Sequence, residues 1–305
     1  MVISHNGRRA GFTLIELLVV IALISTLMAL GAGAFFRVRA GQIKSASEAT
    51  LRKLNTALDN RLKAIRESVN EDAQKNQGQW PNALATANGN PDVAKSLLMY
   101  AKIKNELPMT FAEAKAPTMV GSILLPPRAN FSVLPNSTAN SPEESGACFY
   151  IAVLSSGGGG AMTDGDGLQQ QSSDFTGASW SGSARVFKDA WGTPIAFVRT
   201  AYTPELNSPP FVRNAAAAVK DPFDPAGKLG PVMVAYPGYW TSLNANRPTF
   251  VTAPSPYNGS LNVVSTLISA GPDKLFTTGT YDAFAGTDND NLLSYRLRRE
   301  GAKGD

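Results

Sequence analysis

The sequence predicts an α+β protein in which a long N-terminal helix, apolar in its first half, packs against a small antiparallel β-sheet. Two observations predict this class. Apolar residues dominate the chain from Leu17 to Phe36 and then recur at helical spacing to about Val69. From about Asn70 onward, short apolar runs alternate with Gly, Pro, Ser, Asn and Thr, which is typical of short strands and turns. The 305 residues suffice for one sizeable domain or two small ones.

The first element is a membrane-spanning helix. No charged residue occurs from Leu17 to Phe36, and about 20 apolar residues are enough to cross a bilayer as a helix. A secretory signal would place its cleavage site after a shorter apolar core. Here Arg8, Arg9 and the small residue Gly11 precede the core, so cleavage after Gly11 would leave the span attached. This order predicts a membrane anchor that is trimmed and retained.

Glu16 is the one carboxylate at the start of this apolar segment. An unpaired carboxylate in hydrocarbon costs several kcal/mol, roughly, unless it reaches the interface or finds a cation. Glu16 therefore either lies at the membrane edge or pairs with a cation at its own depth. Cleavage after Gly11 would create such a cation, the new amine of Phe12, which a neighbouring subunit can present.

The stretch Gly-Phe-Thr-Leu-Ile-Glu-Leu-Leu-Val-Val, which starts at Gly11, resembles the processing and methylation motif of type IV prepilins and type II secretion pseudopilins. The resemblance implies that a prepilin peptidase cuts after Gly11 and methylates Phe12, and that Glu16 sets the register of subunits during assembly. It also implies a pilin-like fold. Many family members have a proline in the apolar helix, where this chain has Gly31 and Gly33.

The resemblance divides the chain into four segments. Residues 1–11 are the leader, 12–36 the transmembrane and polymerisation helix, 37–70 its amphipathic continuation, and 71–305 a globular domain with loop insertions. It places the N-terminus in the cytoplasm, a single span in the bacterial inner membrane and the C-terminal domain in the periplasm.

The amphipathic continuation has one apolar stripe, formed by Leu51, Leu54, Leu58, Leu62, Ile65 and Val69. The charged residues between them include Arg52, Lys53, Asp59, Arg61, Lys63 and Arg66. A helix that is continuous from Phe12 to about Val69 would resemble the long helix of pilins. The alternative is a break near Gly41 between a membrane anchor and an unrelated helix.

Within the globular part, residues 94–116 predict one or two helical turns, and the apolar runs 148–154 and 261–269 predict strands. Residues 155–183 are rich in Gly and Ser and predict a flexible surface insertion. Residues 202–260 are rich in Pro and Asn and predict long loops.

The segment Asp-Ala-Trp-Gly-Thr-Pro, residues 189–194, predicts a turn that leads into a short strand ending at Val198. It is similar to the Asp-Pro-Trp-Gly-Asn-Pro segment of major pseudopilins, which opens their small sheet. Ala190 and Thr193 depart from that pattern.

Aspartates near the C-terminus suggest a calcium site. Asp288 and Asp290 lie in the glycine-containing run Gly-Thr-Asp-Asn-Asp, and clustered carboxylate and amide oxygens suit this cation. The alternative is a solvated acidic turn. This run and the earlier Ser-Ala-Gly-Pro-Asp, which ends at Asp273, resemble the calcium-binding C-terminal segment of major pseudopilins. The resemblance makes Asp273, Asp288 and Asp290 the predicted ligands, although the intervening segment is longer here than in the family.

The composition argues against several classes of protein. The net charge is only +4 and no basic run occurs in the body, so we expect no nucleic-acid partner. The only histidine is His5 and the only cysteine is Cys148, which rules out an intrachain disulfide and, after leader removal, any His-dependent catalytic or zinc site. Cys148 is predicted to be a small buried hydrophobe. We therefore expect a protein that is not an enzyme.

The function that these patterns favour is that of a pseudopilin subunit of a type II secretion apparatus. Its expected partners are the prepilin peptidase and methyltransferase, further copies of itself, other pseudopilins and the secretion machinery. One alternative is a subunit of a type IV pilus for adhesion, motility or DNA uptake. Another is a membrane-tethered enzyme or binding protein that uses a prepilin-type signal.

Overall fold

The structure is a computed structural model that describes residues 13–137, 141–154, 168, 170–178, 180–201, 223–224, 227–244, 264–276 and 291–297. Its contacts divide the chain into two compact units, residues 1–45 and residues 46–305. The described elements are helices and small antiparallel sheets, so the predicted α+β class is confirmed.

The long N-terminal helix, α1, begins at Leu14 and ends at Lys75. It runs without interruption through Gly31, Gly33 and Gly41, so the alternative of a break near Gly41 is wrong. Each glycine costs only about 1 kcal/mol relative to alanine in a helix interior, and the flanking apolar and alanine residues are compatible with helix.

The apolar stripe of α1 is confirmed in the C-terminal unit. Five of its six members are essentially excluded from solvent, and Leu62 is half-buried; the five are Leu51, Leu54, Leu58, Ile65 and Val69. Burying such a side chain fully contributes about 1.5–3 kcal/mol relative to exposing it. The stripe belongs to the same core cluster as Phe187 and Phe197 of the later strands.

Arg61 departs from the expectation that the charged residues between the stripe positions face solvent. It is 6% exposed and pairs with Glu106 at 2.7 Å. Glu106 also pairs with Arg128 at 3.0 Å, so one carboxylate serves two guanidinium groups.

Four further helices follow α1 before the central strands: α2 (Trp80–Thr86), α3 (Pro91–Glu106), α4 (Phe111–Lys115) and α5 (Pro142–Leu154). A short 3₁₀ helix spans Ala129–Val133. In place of the one or two turns expected within 94–116, α3 is a 16-residue helix. Asn90 caps it by accepting the Asp92 and Val93 N–H groups, and Pro91 fits its first turn.

Helix α5 corrects the strand that the apolar run 148–154 predicted. Pro142 and two glutamates start the helix, and the run lies entirely inside it. Nine of the 13 residues of α5 are buried and none is fully exposed, so the helix has no solvent-facing polar side. Hydrophobicity alone does not distinguish such a helix from a buried strand. A Cβ at Gly146 would lie 2.4 Å from the Ile195 carbonyl oxygen, so only glycine allows α5 to pass this close.

The main sheet has three antiparallel strands in the order β5 (Ala196–Ala201), β6 (Val264–Ser269) and β7 (Leu292–Leu293). Two hairpins precede it in the chain, formed by β1 (Thr118–Val120) with β2 (Ile123–Leu125) and by β3 (Ser172–Phe175) with β4 (Ala184–Phe187). Helix α5 packs against this part of the fold, and the ring of Phe149 stacks on Phe197 with 5.3 Å between centroids.

Two segments expected to be irregular contain regular structure. Strand β3 lies within 155–183, and the helices α6 (Leu229–Ala235) and α7 (Pro237–Asn244) lie within 202–260. Helix α8 (Ser294–Leu297) follows β7. Their Gly and Pro residues predict loops because both residue types have low helix propensity. Helix α7 forms nevertheless, because Trp240 and Leu243 are buried and pack it against the core.

Candidate processing and assembly site

The start of α1 is closed by a reciprocal pair of side chains, Thr13 and Glu16. The backbone N–H and the hydroxyl of Thr13 both donate to Glu16 Oε2 at 2.9 Å, and the Glu16 N–H donates to Thr13 Oγ1 at 3.3 Å. This is a capping box, in which two of the otherwise unpaired donors of the first turn find acceptors. Glu16 thus has its carboxylate at the positive end of the helix dipole, where a negative charge is stabilised.

The capping box uses one oxygen of Glu16 and leaves the other accessible. Among the described residues no donor to Glu16 Oε1 is present, and both residues of the pair are exposed. A second cation can therefore approach this carboxylate without breaking the cap. The predicted cleavage residues Gly11 and Phe12 lie outside the described residues, so their roles stay predictions.

The helix surface beyond Glu16 is almost wholly apolar and exposed. Its large hydrophobic side chains from Leu14 to Val38 are between 43% and 87% exposed in the N-terminal unit. Among the described residues, one helix, α1, is long and apolar enough to cross a membrane. Exposing this much apolar surface to water is unfavourable, so the helix needs lipid or other apolar helices around it.

In the C-terminal unit, the predicted turn at residues 189–194 is organised by the carboxylate of Asp189. Asp189 Oδ1 accepts the N–H groups of Trp191 at 3.0 Å and Thr193 at 2.9 Å. Gly192 adopts a φ of +85°, a conformation that glycine reaches without strain. The carboxylate therefore holds the turn that delivers the chain into β5.

The same carboxylate joins this turn to the end of β6. Ser269 Oγ donates to Asp189 Oδ2 at 2.6 Å, and the Ala190 N–H donates to Ser47 Oγ of α1 at 3.0 Å. We call this arrangement the Asp189 junction: the carboxylate of Asp189, the turn 189–193, and the hydroxyls of Ser47 and Ser269. It ties three sequence-distant elements of the unit together at one buried point.

Burial raises the pKa of Asp189 above its ordinary value, while the bonds from Ser269 and from the turn N–H groups oppose that rise. The folded unit therefore holds the proton more tightly than the unfolded chain. Stability from this group is fully present below the unfolded pKa, near 4, and is lost as pH rises through the folded pKa.

We expect the substitution Asp189→Asn to remove this pH dependence. Asn keeps an oxygen for Trp191 and Thr193 and offers an N–H to Ser269 Oγ. Urea unfolding of a soluble fragment that starts at Lys44 measures the free energy of unfolding of each protein. Above about pH 4, this free energy should fall in the wild type relative to the variant, by at most about 1.4 kcal/mol per pH unit. If the free energies of unfolding of the two proteins change in parallel between pH 3 and 7, the raised pKa of Asp189 is contradicted.

Of the three predicted metal ligands, the structure describes Asp273. Its side chain is exposed, and its Oδ1 accepts the Leu275 N–H at 2.9 Å in the turn that follows β6. Asp288 and Asp290 lie outside the described residues. Among the residues that are described, no three His, Cys, Asp or Glu side chains come together as a metal site. Asp273 thus has the exposure that a ligand needs, and calcium binding stays a prediction.

Cys148 is completely buried in α5, as its surroundings predicted. Burial raises the pKa of its thiol well above the ordinary value, and the carboxylates of Glu113 and Glu144 add to the effect. The thiol therefore stays protonated and inaccessible, which makes it a packing residue and not a nucleophile.

A buried charge cluster in the C-terminal unit was not predicted from the sequence. Arg199 of β5 forms two 2.9 Å bonds with the carboxylate of Glu113 in α4, and both side chains are almost fully buried. Lys104 of α3 lies 3.5 Å from the same carboxylate and donates to the Ser242 carbonyl. Arg199 also donates to the carbonyls of Leu107 and Leu243.

This cluster has two cations and one anion. The carbonyls of Ser242 and Leu243 belong to the last turn of α7, the negative end of its dipole, which offsets the second positive charge. Burial lowers the pKa of Lys104, although Glu113 opposes this. The one available signal in the sequence was Arg199 inside a strand whose other residues are small or apolar.

Comparison with known proteins identifies the N-terminal segment. Residues 6–32 match the family model for the prokaryotic N-terminal methylation motif, and this range includes Gly11, Phe12 and Glu16. No curated protein and no solved structure matches the chain. The motif implies processing by prepilin peptidase and, with the apolar helix that follows, single-pass membrane anchoring. The N-terminal segment is therefore similar to that of type IV pilin-like and pseudopilin-like proteins.

Proposed function

We propose that this protein is a pseudopilin subunit of a type II secretion apparatus. A prepilin peptidase cuts it after Gly11 and methylates Phe12, and α1 holds it in the bacterial inner membrane with the C-terminal unit in the periplasm. Subunits then associate through the apolar half of α1 and, with other pseudopilins, form a pseudopilus that drives protein export. The protein performs no catalysis of its own in this role.

The observation that supports this proposal over a type IV pilus subunit is the Asp189 junction. It brings together the two segments that resemble major pseudopilins, Asp-x-Trp-Gly-x-Pro and Ser-Ala-Gly-Pro-Asp. Asp189 is the first residue of one and Ser269 the first residue of the other, and they share a 2.6 Å hydrogen bond. The two resembling segments therefore contact each other in the fold. Two chance matches would not be expected to be neighbours in this way.

Deleting the gene in its bacterium tests the proposal against its alternatives. A secretion pseudopilin predicts that exported enzymes accumulate in the periplasm while surface pili remain. Loss of pili, adhesion or DNA uptake with normal secretion would replace the proposal with a type IV pilus subunit. A tethered enzyme predicts neither defect; this class has little support, since His5 is the only histidine and Cys148 is buried.

Processing gives a direct prediction at Gly11. We expect Gly11→Leu to leave the precursor uncut, because a large side chain next to the cleaved bond obstructs access to the peptidase site. Intact-mass measurement of membrane-extracted protein should find wild-type chains that begin at methylated Phe12 and variant chains that keep the leader. Gly7→Leu, a matched change inside the leader, should be processed normally. Wild-type protein that retains Met1 would contradict the prediction.

We also propose that Asp273, Asp288 and Asp290 contribute to a calcium site. The cation would fasten the C-terminal segment, a role that a disulfide cannot take because the chain has one cysteine. Asp273 supports this proposal because its carboxylate is exposed immediately after β6.

Calcium should raise the melting temperature of the soluble fragment that starts at Lys44, since a ligand that binds the folded state stabilises it by mass action. Calcium at a hundred times its Kd would stabilise by about 2.7 kcal/mol. Magnesium should have a smaller effect because it requires a tighter octahedral shell. Asp288→Ala with Asp290→Ala should abolish the response, whereas the exposed pair Asp174→Ala with Glu67→Ala should retain it. A wild-type melting temperature that ignores both calcium and chelator would refute the site.

A further inference from the structure

Three cations follow the apolar segment of α1: Arg37, Arg39 and Lys44, here called the basic collar. All three are exposed in the N-terminal unit. The exposed apolar surface reaches Phe36, which is 64% exposed, and Val38, which is 60% exposed, so the basic collar begins where that surface ends.

The basic collar has no compensating acid within its own unit. Between Glu16 and Glu48 the sequence has no carboxylate, and Glu16 precedes Arg37 by about six helical turns. Neither Arg37 nor Arg39 has an acidic residue three or four positions away, which is where a partner on a helix would lie. The charges of Arg37 and Arg39 are therefore available to a ligand from outside the helix, whereas Glu48, four positions after Lys44, offsets part of the charge of Lys44.

The spacing of the basic collar matches the layer next to a membrane. Arg37 and Lys44 lie on one side of α1, two turns and about 10 Å apart, and Arg39 lies on the opposite side. Side chains of a helix lean toward its N-terminus, so these cations lean back toward the apolar segment. A headgroup layer is roughly 5–8 Å thick, and electrostatic attraction extends about 8 Å beyond it at physiological salt.

We propose that the basic collar binds the phosphate groups of anionic phospholipids in the leaflet at the C-terminal end of the span. Each cation faces lipid on its own side of the helix, so the collar recruits several headgroups around α1 rather than one in a pocket. Guanidinium groups bind phosphate oxygens in pairs, which favours Arg at the two positions nearest the span. This proposal rests on the membrane anchoring of α1 and not on the type of apparatus that the subunit serves.

The full-length protein in phospholipid vesicles provides the test. Two samples of phosphatidylcholine vesicles are compared, one with a trace of spin-labelled phosphatidylglycerol and one with a trace of spin-labelled phosphatidylcholine. Electron spin resonance then measures how much of each labelled lipid the protein immobilises. At 0.1 M salt we expect a preference for phosphatidylglycerol of roughly threefold or more. The preference should approach one at 1 M salt, where the screening length is about 3 Å.

The variant Arg37→Gln/Arg39→Gln/Lys44→Gln should immobilise both lipids equally. Arg37→Lys/Arg39→Lys should keep most of the preference because the charge remains. The matched control Lys53→Gln/Lys63→Gln/Arg66→Gln removes the same charge from exposed positions further along α1 and should leave the preference unchanged.

Four results would overturn the proposal, and they are distinguishable. If neither lipid is immobilised, α1 does not span the bilayer and the anchoring itself fails. If the wild type immobilises both lipids equally and the collar variant self-associates normally, anchoring stands and the basic collar has no lipid role. If the control loses the preference as fully as the collar variant, net charge alone is responsible. If the wild type shows no preference while the collar variant loses self-association, the collar binds an acidic surface of another subunit.

Discussion

We expect Arg199→Met to lower the free energy of unfolding of the C-terminal unit by about 3 kcal/mol, the lower end of the typical cost of removing one partner from a buried ion pair, because Lys104 still neutralises Glu113. The side chains of Arg199 and Glu113 are 3% and 1% exposed, and two 2.9 Å bonds join them. Met has a similar length and is apolar, so the change tests the charge and its hydrogen bonds more than the volume. Urea unfolding of the fragment that starts at Lys44 measures the effect.

The cost comes from the groups that are left behind. Glu113 would keep Lys104 at 3.5 Å and the Met109 N–H, but it would lose its two shortest bonds to a cation. The carbonyls of Leu107 and Leu243 would lose a donor as well. In the interior no water replaces these lost hydrogen bonds, so the polar atoms left without a donor carry the cost.

Two further variants decide whether the ion pair is the cause. Arg199→Met combined with Glu113→Gln and Lys104→Met should recover part of the loss, because it also removes the two charges that Arg199→Met leaves in the interior. Arg185→Met, a matched change at a half-exposed arginine of β4, should cost at most about 1 kcal/mol. If Arg199→Met destabilises no more than Arg185→Met, the pair contributes nothing beyond a surface charge.

The long helix could be predicted from the sequence because its two signals are local and repeated. An uncharged run of about 20 residues and a stripe at steps of three and four each need only neighbouring residues to be recognised. Arg61 shows the limit of this reasoning. It falls between stripe positions, as a surface charge would, yet it is buried and pairs with Glu106 of α3.

The buried charge cluster could not be predicted because its members are distant in sequence. Glu113 and Arg199 are 86 positions apart, and nothing near either residue indicates its partner. Asp189 is an intermediate case. The turn around Gly192 was expected, and an Asp that accepts N–H groups two and four positions later is a common local pattern. Its bond to Ser269 is non-local and required the fold.

The Glu16→Gln substitution should leave membrane insertion intact and reduce polymerisation by roughly tenfold or more. A charge-assisted hydrogen bond is worth about 1.5–3 kcal/mol, and every subunit contact in a fibre would lose one. Insertion should be at least as favourable, since an uncharged residue enters hydrocarbon more readily than a carboxylate. Sedimentation measures the amount of polymerised protein, and resistance to carbonate extraction measures the amount inserted in the membrane. The ratio of the two amounts in the same cells gives the polymerised fraction.

Glutamine is the informative replacement because of the capping box. Its side-chain oxygen can still accept the two donors of Thr13, so the start of α1 should be preserved while the charge is lost. The accessible Oε1 of Glu16 is the atom that a neighbour's Phe12 amine would meet. In Gln the single oxygen stays with Thr13, so the amide NH2 group takes the Oε1 position and cannot accept a hydrogen bond from that amine.

The reverse experiment keeps the charge and removes the cap. Thr13→Val deletes the hydroxyl that bonds to Glu16 in both directions, which should cost about 1 kcal/mol of local helix stability. If charge pairing drives assembly, Thr13→Val fibres should form at nearly wild-type levels while Glu16→Gln fibres do not. Equal assembly by Glu16→Gln and wild type would mean that Glu16 only caps α1 at the membrane edge. A defect in Thr13→Val as large as that in Glu16→Gln would mean that the geometry of the helix start, rather than its charge, sets the register between subunits.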